Sequence, residues 1–485
     1  MRKERQGGDD RGRETREQPA SRRPDRAPRL LRPALVLLGS QTEPDRVGEL
    51  LLCDGKGPFL FGRFDPEISE RLLRPLRQRP GSNEIRPPLE VADHVSRKQL
   101  RLTVEGDRLL VTVTGKAPVW IDESEIAPGS AVAAPPGSTL RIGDDLCFLI
   151  TSRPRRLPEM RASAEVDFPF AAPDGNGMIG ESPAMWTLRE RLAFVAAIGL
   201  HALVLGESGT GKELAARAIH RLSPRGDRPI VAHSAADIPS TLIEAELFGN
   251  RADYPQSGMP AREGLIGSAH GSTLFLDELG TLPGELQSRL LRVLDTHGEY
   301  RRLGLDTPLR SDFRLIAATN QSPERIKHDL RARLQHTVEL PPLNDRSEDV
   351  PLLVQALLSR MAERPDDRAM MARFHDARRG RFRISLDLVQ ALARHPYQTH
   401  LRELQQLLLI SIYESEGDTL ERTPSLDARF RLPRPSLTPQ TLGEVELRDA
   451  LERADWNVAV AARRLGLSRF QLMRQMKKLG IARPN

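Results

Sequence analysis

The chain has 485 residues, 39% of them hydrophobic and 28% charged, with a formal net charge of +6. That length suits about three domains. Its longest apolar runs, such as ALVLL at 34–38, are far too short to cross a bilayer, so neither a membrane segment nor an export leader is expected and the location is read as cytoplasmic. Two cysteines, Cys53 and Cys147, exclude a disulfide scaffold and a four-thiolate zinc site and are read as half-buried thiols in a reducing compartment.

In chain order, residues 1–33 alternate Arg with Asp, Glu, Gly and Pro, which predicts a disordered basic tail. Residues 34–151 carry short β-type runs (PALVLLG, ELLLC, PFLFG, KQLRLTV, RLLVTVT, PVWID, STLRIGDDLCFLIT) between turn signals, which predicts an all-β sandwich. Residues 152–177, with RPRR, several prolines and PDGNG, predict a linker. From 178 to 413 apolar strands (HALVLG, STLFLD, FRLIAATN) alternate with helical stretches, the pattern of an α/β domain on a largely parallel sheet, with helices dominating from about 346. A second linker is expected at 414–440, and 441–485 read as helices throughout.

GESGTGK at 206–212 follows the run HALVL and precedes ELAARAIH, so it has the strand, glycine-rich loop and helix that phosphate binding needs. Gly206, Glu207, Ser208, Gly209, Thr210 and Gly211 would turn backbone N–H groups onto phosphate oxygens at a helix N-terminus, and Lys212 would reach the β- and γ-phosphates. Glu213 stands where a Ser or Thr usually serves magnesium. The strand STLFLDE at 272–278 ends in two acids, Asp277 to hold Mg²⁺ through water and Glu278 to orient the attacking water. FRLIAATN ends in Asn320, a polar group suited to sensing the γ-phosphate or simply to capping the strand.

MIGESPAM, GESGTGKELAARAIH, ELFG, GSTLFLDE, RLIAATN, ELPPLNDRSEDVPLL and LRELQQL together resemble the AAA+ P-loop ATPase domain, with its helical lid, of bacterial enhancer-binding proteins that activate sigma-54 RNA polymerase. The resemblance covers about half the chain. It implies ATP between subunits of a ring, a normal glutamate at Glu213, an arginine finger at Arg333 and a sensor arginine in cis at Arg402. Lys327 stands where the family has another arginine; lysine keeps the charge without the planar fork, which implies weakened hydrolysis.

The ends extend the likeness. ADWNVAVAARRLGLSRFQLMRQMKKLGI at 454–481 has a helix, a Gly466-Leu467-Ser468 turn and a basic second helix, the helix-turn-helix layout, and resembles the Fis-type DNA-binding domain. Arg469, Gln471 and Arg474 are candidates for base or phosphate contact, and Lys477 and Lys478 for phosphate contact. The sandwich resembles a forkhead-associated domain through FLFGR, VSRKQ and LRIGDDLCFLI, which implies that Arg63, Ser96 and Arg97 hold a phosphothreonine. Gln99 replaces that family's His, and TGKAPVWIDE lacks its Asn-Gly.

One stretch departs from the activators. After ELFG the family carries GAFTGA, whose tip contacts sigma-54; here Asp253, Tyr254, Pro255, Gln256, Ser257 and Gly258 stand there. Ser234 occupies the place of the asparagine that couples the catalytic glutamate to this loop. The reading is an ATP- and Mg²⁺-dependent, DNA-binding transcriptional regulator of the sigma-54-activator family with a degenerate sigma-contact loop. Its expected partners are promoter or enhancer DNA, RNA polymerase with or without sigma-54, a phosphothreonine protein or peptide, and copies of itself from dimer to hexameric ring. The alternatives are an ATP-driven remodeller of another protein or nucleic acid, or a regulator that retains sigma-54 activation.

Overall fold

The computed structural model describes residues 31–55, 57–67, 72–161, 167–239, 241–296, 298–431 and 444–454, with scattered residues from 456 to 481. Most of the expected tail, residues 1–30, lies outside them.

The N-terminal unit is all-β. Its strands are β1 (Leu31–Ser40), β2 (Leu50–Leu52), β3 (Phe59–Phe61), β4 (Pro75–Arg79), β5 (Ser82–Ile85), β6 (Leu100–Glu105), β7 (Arg108–Val113), β8 (Val119–Ile121), β9 (Ser124–Ile126), β10 (Ala131–Ala134), β11 (Thr139–Ile142) and β12 (Leu146–Pro154). They form two antiparallel sheets, β5-β4-β2-β1-β12-β11-β8-β9 and β10-β7-β6-β3. On β6 and β7 the two-residue period sends Leu100, Leu102, Leu109 and Val111 inward and leaves Arg101 exposed. ALVLL in β1 does not alternate because the strand is covered on both sides. Leu35 and Leu37 enter the sandwich core, Ala34 and Val36 pack with Leu50, and Leu38 meets a helix of the next domain.

That domain is built on β13 (Ala202–Leu205), β14 (Val231–Ser234), β15 (Thr273–Asp277), β16 (Glu299–Tyr300), β17 (Leu309–Arg310), β18 (Arg314–Thr319) and β19 (His336–Glu339). Five of these make a parallel sheet in the order β14-β15-β18-β13-β19, with β16 and β17 as a separate pair. Around it lie α1 (Pro183–Ile198), α2 (Lys212–Arg221), α3 (Ile243–Phe248), α4 (Leu265–Ser268), α5 (Gly284–Asp295) and α6 (His328–Arg333). The strands are apolar without alternation because cores close on both faces, Leu274 and Leu276 on one and Phe275 and Val204 on the other.

The lid comprises α7 (Val350–Ala362), α8 (Arg368–Ala372), the pair β20 (His375–Asp376) and β21 (Arg381–Phe382), α9 (Leu386–Arg394), α10 (His400–Glu414) and α11 (Pro424–Arg431). A further helix, α12 (Glu444–Glu452), buries Leu447 and Leu451 against Ala461, Ala462 and Leu472.

Both expected linkers differ from the sequence reading. Residues 424–431, placed in a linker, form α11, because Leu426 is buried in the lid core and Phe430 packs on His395. The described part of 152–177 is pinned down by its aromatics. Phe168 stacks on Trp186 at 5.7 Å, and its carbonyl accepts from Arg79 Nη1 at 2.6 Å.

The sandwich is seated on the lid. Leu38, Cys147 and Leu149 pack against Leu386, Val389 and Ala393 of α9. Gln390 Nε2 donates to the Asp122 carbonyl at 2.6 Å and to Thr139 Oγ1 at 2.8 Å. Arg153 and Glu348 form a buried ion pair at 2.8 Å, and Arg141 pairs with Asp387.

Candidate nucleotide site

The site forms where the parallel strands end, the position at which open α/β sheets take ligands. Strand β13 feeds the loop Gly206–Gly211, and α2 starts at Lys212 with Gly211 as its cap at φ 99°. Gly209, at φ 81°, lies under the lid so closely that a Cβ would overlap the Thr399 carbonyl, which leaves glycine as the residue that fits. Lys212 Nζ donates to the carbonyls of Gly206 at 3.2 Å and Glu207 at 3.4 Å, and Thr210 Oγ1 donates to the Glu207 carbonyl at 2.8 Å.

The acids converge on the same lysine. Asp277 ends β15 beside Ser234 of β14 and accepts the Glu278 N–H at 2.8 Å. Glu278 adopts a left-handed φ of 53°, a backbone state costly for a non-glycine residue, and this turns its carboxylate toward the loop. One oxygen lies 3.9 Å from Lys212 Nζ, and the other accepts the Asn320 backbone N–H at 3.3 Å. Burial pushes the Glu278 carboxyl up, against the pull of the Asn320 N–H and the Lys212 charge. Burial likewise pushes the Lys212 ammonium down, against Asp277 and Glu278, while Arg402 lowers it further. Cation and acids therefore share a site shielded from water, where charges act strongly. Glu213 points away and pairs with Arg217 at 2.8 Å.

The lid closes from above. Leu401 N donates to the Gly209 carbonyl at 3.2 Å, and Arg402 Nη1 donates to Ser208 Oγ at 2.9 Å. His400, fully buried at φ 49°, was not singled out from the sequence, and nothing in HPYQTHL announces it. Its Nδ1 accepts the Leu343 N–H at 3.4 Å, so its Nε2 carries the proton that reaches Glu207 Oε2 at 2.9 Å. Beside Thr210 and Gly211 of the loop, Met178, Ile179, Met185, Leu214, Leu340 and Leu353 line an apolar cleft.

Comparison with known proteins bears on this geometry. Residues 178–342 match the family described as the Sigma-54 interaction domain, and residues 444–479 match the bacterial regulatory protein, Fis family. The Nif-specific regulatory protein of Azotobacter vinelandii is 35% identical over 325 residues, covering 63% of this chain and 59% of that protein. The transcriptional regulatory protein ZraR of Klebsiella oxytoca is 37% identical over 321 residues, covering 62% of this chain and 69% of its own. The chain belongs to the sigma-54 interaction family of bacterial transcriptional regulators. NtrC of Rhizobium meliloti, a DNA-binding transcriptional regulator, is 34% identical over 356 residues, covering 64% of this chain and 71% of NtrC. The chain spans 59% of the length of the Nif regulator and 44% of the formate hydrogenlyase activator of Salmonella typhimurium.

For a member of this family, the remaining candidate residues fall in three places. Arg333 pairs with Asp295 at 2.5 Å, and Lys327 Nζ donates to Ser288 Oγ at 2.5 Å, both on the α5 side of the domain. The structure brings Arg63, Ser96 and Arg97 together on the sandwich: Arg63 N donates to the Ser96 carbonyl at 3.1 Å, while Asp93 and Asp65 hold the two guanidinium groups at 2.8 and 3.3 Å. Gln99, which the sequence marks as a departure, braces this corner. It is fully buried, its Oε1 accepts the Ser96 and Ala117 N–H groups, and its Nε2 donates to the Ala117 carbonyl at 2.8 Å. The DNA-contact candidates Arg469, Gln471, Arg474, Lys477 and Lys478 lie outside the described residues.

The divergent loop is folded back on itself. Asn250, fully buried, donates to the carbonyls of Arg251, Tyr254 and Pro260 at 2.8, 3.1 and 3.0 Å. Asp253 Oδ1 accepts the Gly258 N–H at 2.8 Å, and the Tyr254 ring sits over Gly304 with Arg251 5.6 Å from its centre.

Proposed function

We propose that this chain is an ATP-binding, DNA-binding transcription regulator in which the lid reports the nucleotide directly to the phosphate loop. The observation that carries the reading is the 2.9 Å contact of Arg402 with Ser208, which joins lid and loop at the point where Lys212, Asp277 and Glu278 meet. The donor set fits magnesium triphosphate. Lys212 and the loop N–H groups would take the phosphates, and Asp277 would hold the metal with phosphate and water completing its shell, since among the described residues no cluster of three metal-ligating side chains exists. When bound, the metal neutralises charge on the phosphates. Glu278 would orient the attacking water, Asn320 would sense the γ-phosphate, and Arg333 would act on the nucleotide of a neighbouring copy in a ring. Lys327 in place of arginine supports slow turnover. The test is equilibrium ATP binding and steady-state hydrolysis. Lys212→Ala is expected to abolish binding, and Glu278→Gln to keep binding while losing turnover about 100-fold or more, as for loss of a water-positioning group. Unchanged ATP affinity in Lys212→Ala sinks the assignment.

Around this centre, the Fis-type segment would bind promoter or enhancer DNA, and the Arg63–Ser96–Arg97 corner supports a forkhead-associated reading of the sandwich and capture of a phosphothreonine peptide. The loop at 253–258 supports a changed output. Asp253 is spent on Gly258, and the Tyr254 ring, although 37% exposed, is laid over Gly304, which supports a tip folded back rather than extended toward sigma-54. In vitro transcription from a sigma-54 promoter carrying the protein's own site decides this point, with no ATP-dependent open complex as the expected result. Open complexes that need both the protein and hydrolysable ATP would reverse it.

A further inference from the structure

Two arginines line the apolar cleft beside the phosphate loop, Arg360 at its exposed edge and Arg346 buried in its wall. Arg346 lines it together with Met178, Met185 and Leu353, is 4% exposed, and lies beyond residues 178–342 matched by the family model. Its Nη1 donates to Met185 Sδ at 3.0 Å, a weak acceptor, and its Nε has no partner among the described residues. The neighbouring buried arginine is used differently. Arg189 donates to Asp174 Oδ2 at 2.7 Å and to the carbonyls of Gly180 and Met178 at 2.8 and 3.1 Å, which ties down the cleft's rim. Asp349 supplies Arg346 with a compensating charge, but its oxygens take the Glu181 and Ser182 N–H groups and Ser182 Oγ. Burial therefore lowers the Arg346 guanidinium pKa, with Asp349 opposing the shift and Arg189 adding to it.

A guanidinium desolvated in an apolar wall, with donors aimed at nothing stronger than a thioether, is a site waiting for an acceptor. We propose that Arg346 reads the base of the nucleotide by donating to an unprotonated ring nitrogen of adenine. The inference rests on the nucleotide reading of the cleft and adds the residue that contacts the base. Arginine has no acceptor, so it rewards a ring nitrogen and penalises a base position that carries C–H instead. The surrounding Met and Leu side chains supply area without direction, and the guanidinium supplies the direction.

The experiment uses the full chain and measures equilibrium affinity for ATP and its 1-deaza, 3-deaza and 7-deaza analogues. Wild type is expected to lose about tenfold or more on one of the three analogues, the size of effect a buried unpaired donor gives. Arg346→Met, which replaces the charge with a side chain of similar length, is expected to bind ATP at that weakened level and to treat ATP and the sensitive analogue alike. A purely structural role would lower thermal stability yet leave the analogue preference in place, which overturns the proposal. So does a wild type indifferent to all three analogues, a measurement that needs no variant. Lys212→Ala separates the two readings. If it binds ATP as wild type does, the nucleotide site itself is misplaced and Arg346 falls with it; if it alone loses ATP while the deaza series is flat, only the base-reading role fails.

Discussion

His400 Nε2 lies 2.9 Å from Glu207 Oε2, so a buried lid histidine in a left-handed backbone conformation grips the side chain of the same loop residue whose carbonyl accepts from Lys212. Replacing it removes a donor and leaves a partly buried carboxylate without that partner. His400→Ala is expected to cost about 1–3 kcal/mol of stability, as for other lost partners of buried polar groups. The same variant should weaken ATP binding, because the lid loses one of its three holds on the loop, beside Leu401 on Gly209 and Arg402 on Ser208. Denaturant unfolding with and without ATP reads both effects, and a variant with wild-type values in each would remove His400 from the site.

Acid sensitivity has an assignable group. Burial, with the charges of Arg314 and Arg225, holds His201 at about 4, against an ordinary value of 6.5, and its Nδ1 accepts the Leu315 N–H at 3.0 Å. The unfolded chain therefore binds more protons than the folded one between these values. Stability from this group is complete above about pH 6.5 and is lost as pH falls to about 4, with a slope approaching about 1.4 kcal/mol per pH unit. His201→Asn offers a carboxamide oxygen that does not titrate. Unfolding free energies at pH 7, 6 and 5 should fall less steeply in the variant, and parallel curves would exclude His201 as the sensor.

The two cysteines report on packing. Both thiols are pushed up to about 12 by burial, so native protein should resist a thiol reagent at neutral pH. Cys147 shares a cluster with Leu386, whereas Cys53 belongs to the sandwich core. Leu386→Asp, which places a charge at the seam between sandwich and lid, is expected to make Cys147 label at least about tenfold faster while Cys53 stays protected, because only the seam opens. Equal acceleration of both would mean that the whole sandwich had unfolded.

Asn250 is the anchor of the divergent loop. Asn250→Ala removes the group that gathers three carbonyls, and amide exchange across 251–262 should rise while the parallel sheet keeps its protection. Hydrogen exchange with mass detection measures both regions in one experiment. Loss of protection in the sheet as well would assign Asn250 to the core instead.

What the sequence disclosed, and what it withheld, follows from where each signal resides. The phosphate loop and the acidic strand end were legible because their residues are contiguous and their spacing is the chemistry. Arg402 was legible only through the resemblance, since contact with Ser208 spans 194 positions. His400 was not, because a histidine at the head of α10 gains meaning only once the fold buries it, and Arg346, although inside ELPPLNDRSEDVPLL, was read only as part of that resemblance. Gln99 shows a different limit. Its type departs from the expected motif, yet an amide that both donates and accepts braces the same two loops. The linker expectation at 414–440 failed at α11 because one buried leucine outweighs the flanking prolines.

The seat of the sandwich on α9 has a mechanical consequence. A lid that turned against the core would have to break one of two holds, since Gln390 and Leu386 fix the sandwich to α9 while Arg79 fixes it to Glu181, ahead of α1, at 2.8 Å. The sandwich is thus a clasp across lid and core, and anything that grips it bears on the closure of Arg402 over Ser208.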